Sequence, residues 1–244
     1  FLGAIFALLL IFAPVLAFAQ APQKGVSLAT GQVAQKGAAL TPGQVAQQIA
    51  GSATGQVAQK AALTPEQVAQ KAAAVITDAK GITATFTISA NGRSSKGTIK
   101  SSGNKFSVLL PEVSSWYNGK DLYVYNQRTS ETTVTVPTAQ ELLESNPLLY
   151  VKGGAGGYSY SFSPVKRTGK YVVDLVPRSK KTGIKKLTFT INATNFQTER
   201  IAVSVGGGLT TIDVTSFKTG GALGSSEFEY PRSQYPKVEV IDLR

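Results

Sequence analysis

The chain has 244 residues, 25 lysines and arginines against 14 aspartates and glutamates, and a formal net charge of +11, with no histidine and no cysteine. Those two absences remove the usual general base, the Ser-His-Asp and Cys-His nucleophile systems, the commonest zinc ligand and any disulfide. Such a chain must hold its fold by packing alone, and no metal or cofactor is expected.

The N-terminus points to export. Leu2 to Leu16 is almost unbroken apolar sequence and runs into Ala17-Phe18-Ala19, the small-x-small form of a signal peptidase site. Pro14 interrupts the run and no basic stop-transfer flank follows it, so residues 1–19 are expected to be a signal peptide cleaved after Ala19, not an anchor. No cysteine follows to carry a lipid, so a soluble periplasmic protein is expected, touching membrane surfaces transiently. Export and the scatter of the lysines argue against nucleic acid; the positive charge suits solubility and attraction to anionic membrane surfaces.

Residues 20–63 are Ala, Gln, Gly and Lys with no aromatic side chain, and they begin a duplication. Ala29-Thr30-Gly31-Gln32-Val33-Ala34-Gln35-Lys36 returns at Ala53–Lys60, and Leu40-Thr41-Pro42 returns as Leu63-Thr64-Pro65. Two copies this poor in bulky residues cannot build a solenoid, so the stretch is expected to be a linker. From Thr64 the second copy turns helical. Thr64 suits an N-cap, Pro65 the first helical position and Gln67 a capping box, with Val68, Ala72, Val75, Ile76 and Ala79 as the apolar stripe and Gly81 as the stop.

Beyond Ile82 the period becomes two. Ile82-Ala84-Phe86-Ile88 alternates with threonines and serine, and the pattern recurs at Phe106-Val108-Leu110, Leu122-Val124, Val134-Val136, Tyr158-Tyr160-Phe162, Leu187-Phe189-Ile191, Ile201-Val203-Val205 and Ile212-Val214. Asn91-Gly92, Ser102-Gly103-Asn104, Asn118-Gly119, Thr168-Gly169, Thr182-Gly183 and Gly206-Gly207-Gly208 supply the turns. The expected fold is mainly β: an antiparallel meander with one apolar face, curled on itself or around a helix. One helix interrupts it, capped by Thr138 and Glu141, carrying Leu142 and Leu143, and stopped by Asn146-Pro147.

No arrangement here predicts catalysis. Ser-x-x-Lys at Ser102–Lys105 and Ser163–Lys166 falls in turns rather than at a helix start, and Gly153–Gly157 leads into a strand, not a helix that could cradle phosphate. Glu227 and Glu229 alternate with Phe228 and Tyr230 as the polar face of a strand would. The basic group Arg178, Lys180, Lys181, Lys185 and Lys186 around Thr182-Gly183 is either a solvated hairpin tip or a docking patch for anionic headgroups or an acidic partner.

Phe106-Ser107-Val108-Leu109-Leu110, followed by Ser115-Trp116-Tyr117-Asn118-Gly119-Lys120-Asp121-Leu122-Tyr123-Val124-Tyr125, resembles the outer-membrane lipoprotein carrier family, LolA. Val134-Thr135-Val136-Pro137-Thr138-Ala139-Gln140-Glu141-Leu142 with Asn146-Pro147 resembles that family's lid-helix region. Tyr171–Pro177 and the stretch Tyr235–Arg244 resemble its Bacteroidota-type subgroup. The resemblance spans roughly residues 65–244, so residues 64–244 are expected to form the carrier domain. It implies an unclosed antiparallel β-barrel with a helical lid enclosing a hydrophobic cavity, in a monomer without enzymatic activity. It further implies that lipoprotein acyl chains are taken from an inner-membrane lipoprotein-releasing transporter to an outer-membrane acceptor. Cavity residues are then expected among Phe86, Ile88, Phe106, Val108, Trp116, Leu122, Val124, Leu142, Leu143, Phe162, Phe189 and Ile191, all of which equally suit a plain core. Members of the family carry an arginine-proline pair after the strand beginning near Gly97, and that arginine helps control lid closure; here the stretch reads Lys100-Ser101-Ser102-Gly103. That departure keeps open a carrier of another lipid or acylated precursor, as well as a periplasmic scaffold or sensor with the same fold.

Overall fold

A computed structural model of the chain describes residues 62–152, 157–179, 183–206 and 208–244. The expected signal peptide, almost all of the expected linker, Lys180 and Lys181 lie outside those residues. Helix α1, Pro65–Thr77, begins with the capping box its sequence encodes: Thr64 Oγ1 accepts from the Gln67 backbone while the Gln67 side chain accepts from the Thr64 backbone. The helix stops at Asp78 rather than at Gly81. Gly81 serves close packing instead, since a Cβ there would lie 2.5 Å from the Gly221 carbonyl oxygen.

Twelve strands follow. β1 (Ile82–Ala90), β2 (Arg93–Ser102), β3 (Lys105–Leu109), β4 (Val113–Tyr117), β5 (Leu122–Asn126) and β6 (Glu131–Thr135) form one antiparallel meander. β7 (Tyr158–Phe162), β8 (Lys170–Pro177), β9 (Ile184–Asn192), β10 (Thr198–Val205) and β11 (Gly208–Thr219) form a second. Antiparallel pairing of β1 with β11 joins them into one sheet. A final strand, β12 (Glu239–Asp242), pairs with β6 in parallel, an exception to the antiparallel plan. The sheet order runs from β12 at one edge to β7 at the other, and these edges do not pair with each other. The barrel is unclosed.

Between β6 and β7 lie two short helices, α2 (Ala139–Ser145) and α3 (Leu148–Lys152). α2 has the expected capping box between Thr138 and Glu141. Asn146 ends α2, and its side-chain oxygen accepts from the Leu148 backbone at 2.9 Å to start α3, so the chain turns there without unwinding fully.

The register assigns the faces. Phe106, Tyr117 and Leu122 lie opposite one another on β3, β4 and β5, as do Val108, Ser115 and Val124. This inner face joins α1 in one core, where Val68, Ala72 and Ile76 share a cluster with Phe86, Ile88, Phe106, Leu175, Leu187, Phe189 and Ile191. The outer face over β2 to β6 carries Lys100, Ser107, Trp116, Tyr123 and Val134, and residues 220–244 return across it. Glu227 lies within a 3-10 turn at Ser225–Phe228 and Glu229 directly after it, not in a strand: Phe228 is buried, Lys100 donates to Glu227 at 2.7 Å, and the Asn118 amide donates to Glu229 at 3.2 Å. The alternation expected of a strand instead seats one aromatic ring while two carboxylates reach sideways.

Gly97 sits opposite Phe86 in the β1–β2 pair, and a Cβ on it would come within 2.6 Å of the Phe86 ring and 2.8 Å of Leu110. Both neighbours are buried and cannot swing away. Gly97→Ala is therefore expected to destabilise the fold by about 1–3 kcal/mol through overpacking, read as a lower urea midpoint; an unchanged midpoint would contradict this packing.

Candidate functional site

A cavity of about 420 Å³ lies where α1, the two short helices and the β1–β3 end of the inner face converge. Ile76 and Thr77 close it from the end of α1, Ala79 and Ile82 from the connection into β1, and Phe106 and Tyr117 from the sheet. Ser101, Gly103 and Asn104 of the β2–β3 hairpin form one rim. Leu142, Asn146, Leu149 and Lys152 roof it from α2 and α3. The walls are mostly hydrocarbon and the rim is polar, the arrangement expected of a site for an amphiphile. Tyr117 stays amphipathic within it, its hydroxyl donating to the Gly119 carbonyl at 3.0 Å. Lys152 reaches from the lid to the rim, Nζ lying 3.4 Å from the Gly103 carbonyl oxygen.

The lid carries a second polar feature. Glu144 is buried on α2, with the Gln140 amide donating to its carboxylate at 2.7 Å. Burial raises its pKa above the ordinary carboxylate value; the Gln140 hydrogen bond works against that, and the neighbouring Glu141 charge adds to it.

Of the residues expected at the cavity, Phe106 and Leu142 line it. Ile88, Val108, Leu122, Phe189 and Ile191 are fully packed core, and Val124 and Leu143 are half-buried against that core. Phe86 borders a second, more open groove of about 610 Å³ around Gly97, with Lys96, Leu109 and Pro111. Phe162 is 46 % exposed on the edge strand β7, where its ring stacks against Tyr171. Trp116 points the other way altogether: it pairs with Ser107 and Tyr123 on the outer face and meets the rings of Tyr230 and Tyr235 edge-on. One residue of strand phase separates it from Tyr117, and in a sheet that is enough to change faces. Ile76, Ile82, Leu149 and Lys152 were not among the residues expected to line it. Ile76 and Ile82 look like ordinary core in sequence, and the five-residue helix bearing Leu149 and Lys152 follows a proline that signals a stop.

Arg178, Lys185 and Lys186 are exposed on β8, β9 and the residues flanking them, and Lys186 makes a 3.3 Å ion pair with Asp174. Among the described residues no cluster of His, Cys, Asp or Glu could hold a metal ion, and no helix is long and apolar enough to cross a membrane.

An unclosed antiparallel sheet, a helical roof and an apolar cavity beneath it together define a lidded half-barrel. The family described as outer membrane lipoprotein carrier protein LolA matches residues 54–207, and the chain belongs to that family. Among solved structures, an uncharacterized conserved protein from Thermus thermophilus shares the fold with a TM-score of 0.50 at 13 % identity, over 72 % of this chain and 98 % of that one. A LolA superfamily protein from Nitrosomonas europaea aligns with a TM-score of 0.37 at 15 % identity, over 69 % of this chain and 99 % of that one. No curated protein matches the sequence.

Trp116 is the chain's one tryptophan, so filling the cavity is expected to leave its emission unchanged, whereas Tyr230→Ala is expected to shift it to the red; a shift on ligand binding alone would contradict the placement. For Glu144, a folded-state pKa raised above 4.5 means that stability is fully present below the unfolded value and is lost as pH rises through the folded one. Glu144→Gln is expected to abolish that part of the decline in unfolding midpoint, with the two proteins converging at low pH.

Proposed function

We propose that the chain is a periplasmic carrier that shelters lipoprotein acyl chains in the cavity beneath α2 and α3 and shuttles them from the inner to the outer membrane. The observation that supports this most is the pocket itself: a mostly apolar space of about 420 Å³, partly open to solvent at a polar rim, between α1 and the sheet under a roof of two short helices. Interiors normally pack to crystal-like density, so a space of this size marks room for a ligand. Each methylene moved from water into it contributes roughly 0.8 kcal/mol, and ten contribute roughly 8 kcal/mol, enough for uptake without an energy source in the carrier itself. The chemistry needed is burial, not bond cleavage.

Family membership supports the same reading. A carrier of this kind receives its cargo from an inner-membrane lipoprotein-releasing transporter and delivers it to an outer-membrane acceptor. The exposed Arg178, Lys185 and Lys186, with Lys180 and Lys181 between them in sequence, suit transient contact with anionic membrane surfaces or acidic partner surfaces. Residues 1–19 then act as the export signal and residues 20–63 as a linker ahead of the carrier domain.

The test is native mass spectrometry of the protein gently extracted from its own cell envelope, paired with uptake of a fluorescent triacylated lipopeptide. Bound acylated lipoprotein and saturable uptake are expected. Ala79→Phe, which places a ring into the cavity wall, is expected to weaken uptake at least tenfold with little change in thermal midpoint. A protein that arrives empty and takes up no lipopeptide would sink the carrier reading.

A further inference from the structure

The cavity has a chemically distinct end. Its walls are apolar at Ile76, Ile82, Phe106 and Leu149, while its rim carries neutral polar groups and a single charged side chain, the ammonium of Lys152. Among the described residues no carboxylate lines the cavity or forms an ion pair with Lys152. Among the described residues its one hydrogen bond, to the Gly103 carbonyl, is long at 3.4 Å. A cation held at the mouth of an apolar space by so weak a contact has donor capacity left over, because an ammonium carries three N–H groups. An anionic oxygen at that point would make a shorter, charge-assisted bond than the carbonyl does.

The pocket of about 420 Å³ has room for at least one fatty chain beside its polar rim. We infer that the cavity prefers lipids with an anionic headgroup, an acyl chain lying between α1 and the sheet and the headgroup on the Lys152 ammonium. This rests on the reading that acyl chains occupy the cavity, and adds to it which free lipids the site prefers. Carboxylate and phosphate headgroups share the required chemistry.

Binding of palmitate, lysophosphatidate, hexadecanol and hexadecyltrimethylammonium to the full chain, by titration calorimetry near neutral pH, tests it. Palmitate and lysophosphatidate are expected to bind at least tenfold more tightly than hexadecanol, with the quaternary ammonium weakest. A larger gain for lysophosphatidate than for palmitate would assign the site to phosphate headgroups, and the reverse to carboxylates. Lys152→Gln is expected to erase the preference, and Lys152→Arg to retain it. Equal binding of palmitate and hexadecanol, or a preference that survives Lys152→Gln, would overturn the inference. If the triacylated lipopeptide binds and the single-chain lipids do not, only this inference falls; if nothing binds, the acyl-carrier reading falls with it.

Discussion

The sheet buries one face across its middle, from β5 to β8, yet its edge strands carry no buried residue and do not meet. β12 and β7 stand at opposite edges of a twelve-stranded sheet, and the apolar residues between them need cover that further strands do not supply. Three helices provide that cover, and they do so unequally. Where α1 meets the second meander, Val173, Leu175, Leu187, Phe189 and Ile191 are buried completely or nearly so. At the start of the first meander the roof is made of helices of seven and five residues, and alanine supplies part of the wall. The cavity is the volume difference between the two halves. Its position follows from short helices facing a wide sheet, not from any special cavity-forming residue.

The outer face has the opposite character. Residues 220–244 lie over β2 to β6, and Trp116, Tyr123, Tyr125, Tyr230 and Tyr235 interleave there at ring separations of 4.5–6.0 Å. Such pairs contribute about 0.5–1.5 kcal/mol each beyond the area they bury. Thr132 donates to the Tyr230 hydroxyl at 3.1 Å, and Arg244 bonds the buried Asp121 at 3.0 Å, so polar groups under the segment are mostly engaged. The strands that wall the cavity are thus braced from behind. A sheet supported on its outer side can keep its curvature while the roof on its inner side changes position.

Much of this was legible in sequence because the signals are local. Alternation at Ile82–Ile88 and Leu187–Ile191 needs only two-residue periodicity, and both capping boxes, at Thr64–Gln67 and Thr138–Glu141, are short-range patterns. What stayed hidden depends on chain segments far apart. Trp116 and Tyr117 are neighbours in one strand, and only the register with β3 and β5 decides which of them faces the core. Residues 239–242 look like any short strand, and only the return of the chain across the outer face makes β12 parallel to β6. The lining of a cavity is harder still. Ile76 and Ile82 differ from fully packed residues only in what fails to reach them, and an absence of neighbours leaves no mark on the sequence around either residue.

Lid and sheet meet through a contact whose polarity is the reverse of the one the family resemblance implies. That resemblance implies an arginine on the sheet side, reaching toward the lid, and the stretch Lys100–Gly103 has none. Here the cation sits on the lid itself, at the last residue of α3, and the sheet contributes a carbonyl from the β2–β3 hairpin. Reversing the polarity of one hydrogen bond changes what opening does. A cation fixed to the sheet stays with the cavity when the lid lifts; a cation carried on the lid leaves with it. An anionic headgroup bound to Lys152 would then be drawn outward as the roof rises, while its chain loses apolar cover at the same moment. The charge contact would travel with the roof and only the chain's apolar cover would be lost, so in the proposed carrier the chain would be loosened before the headgroup.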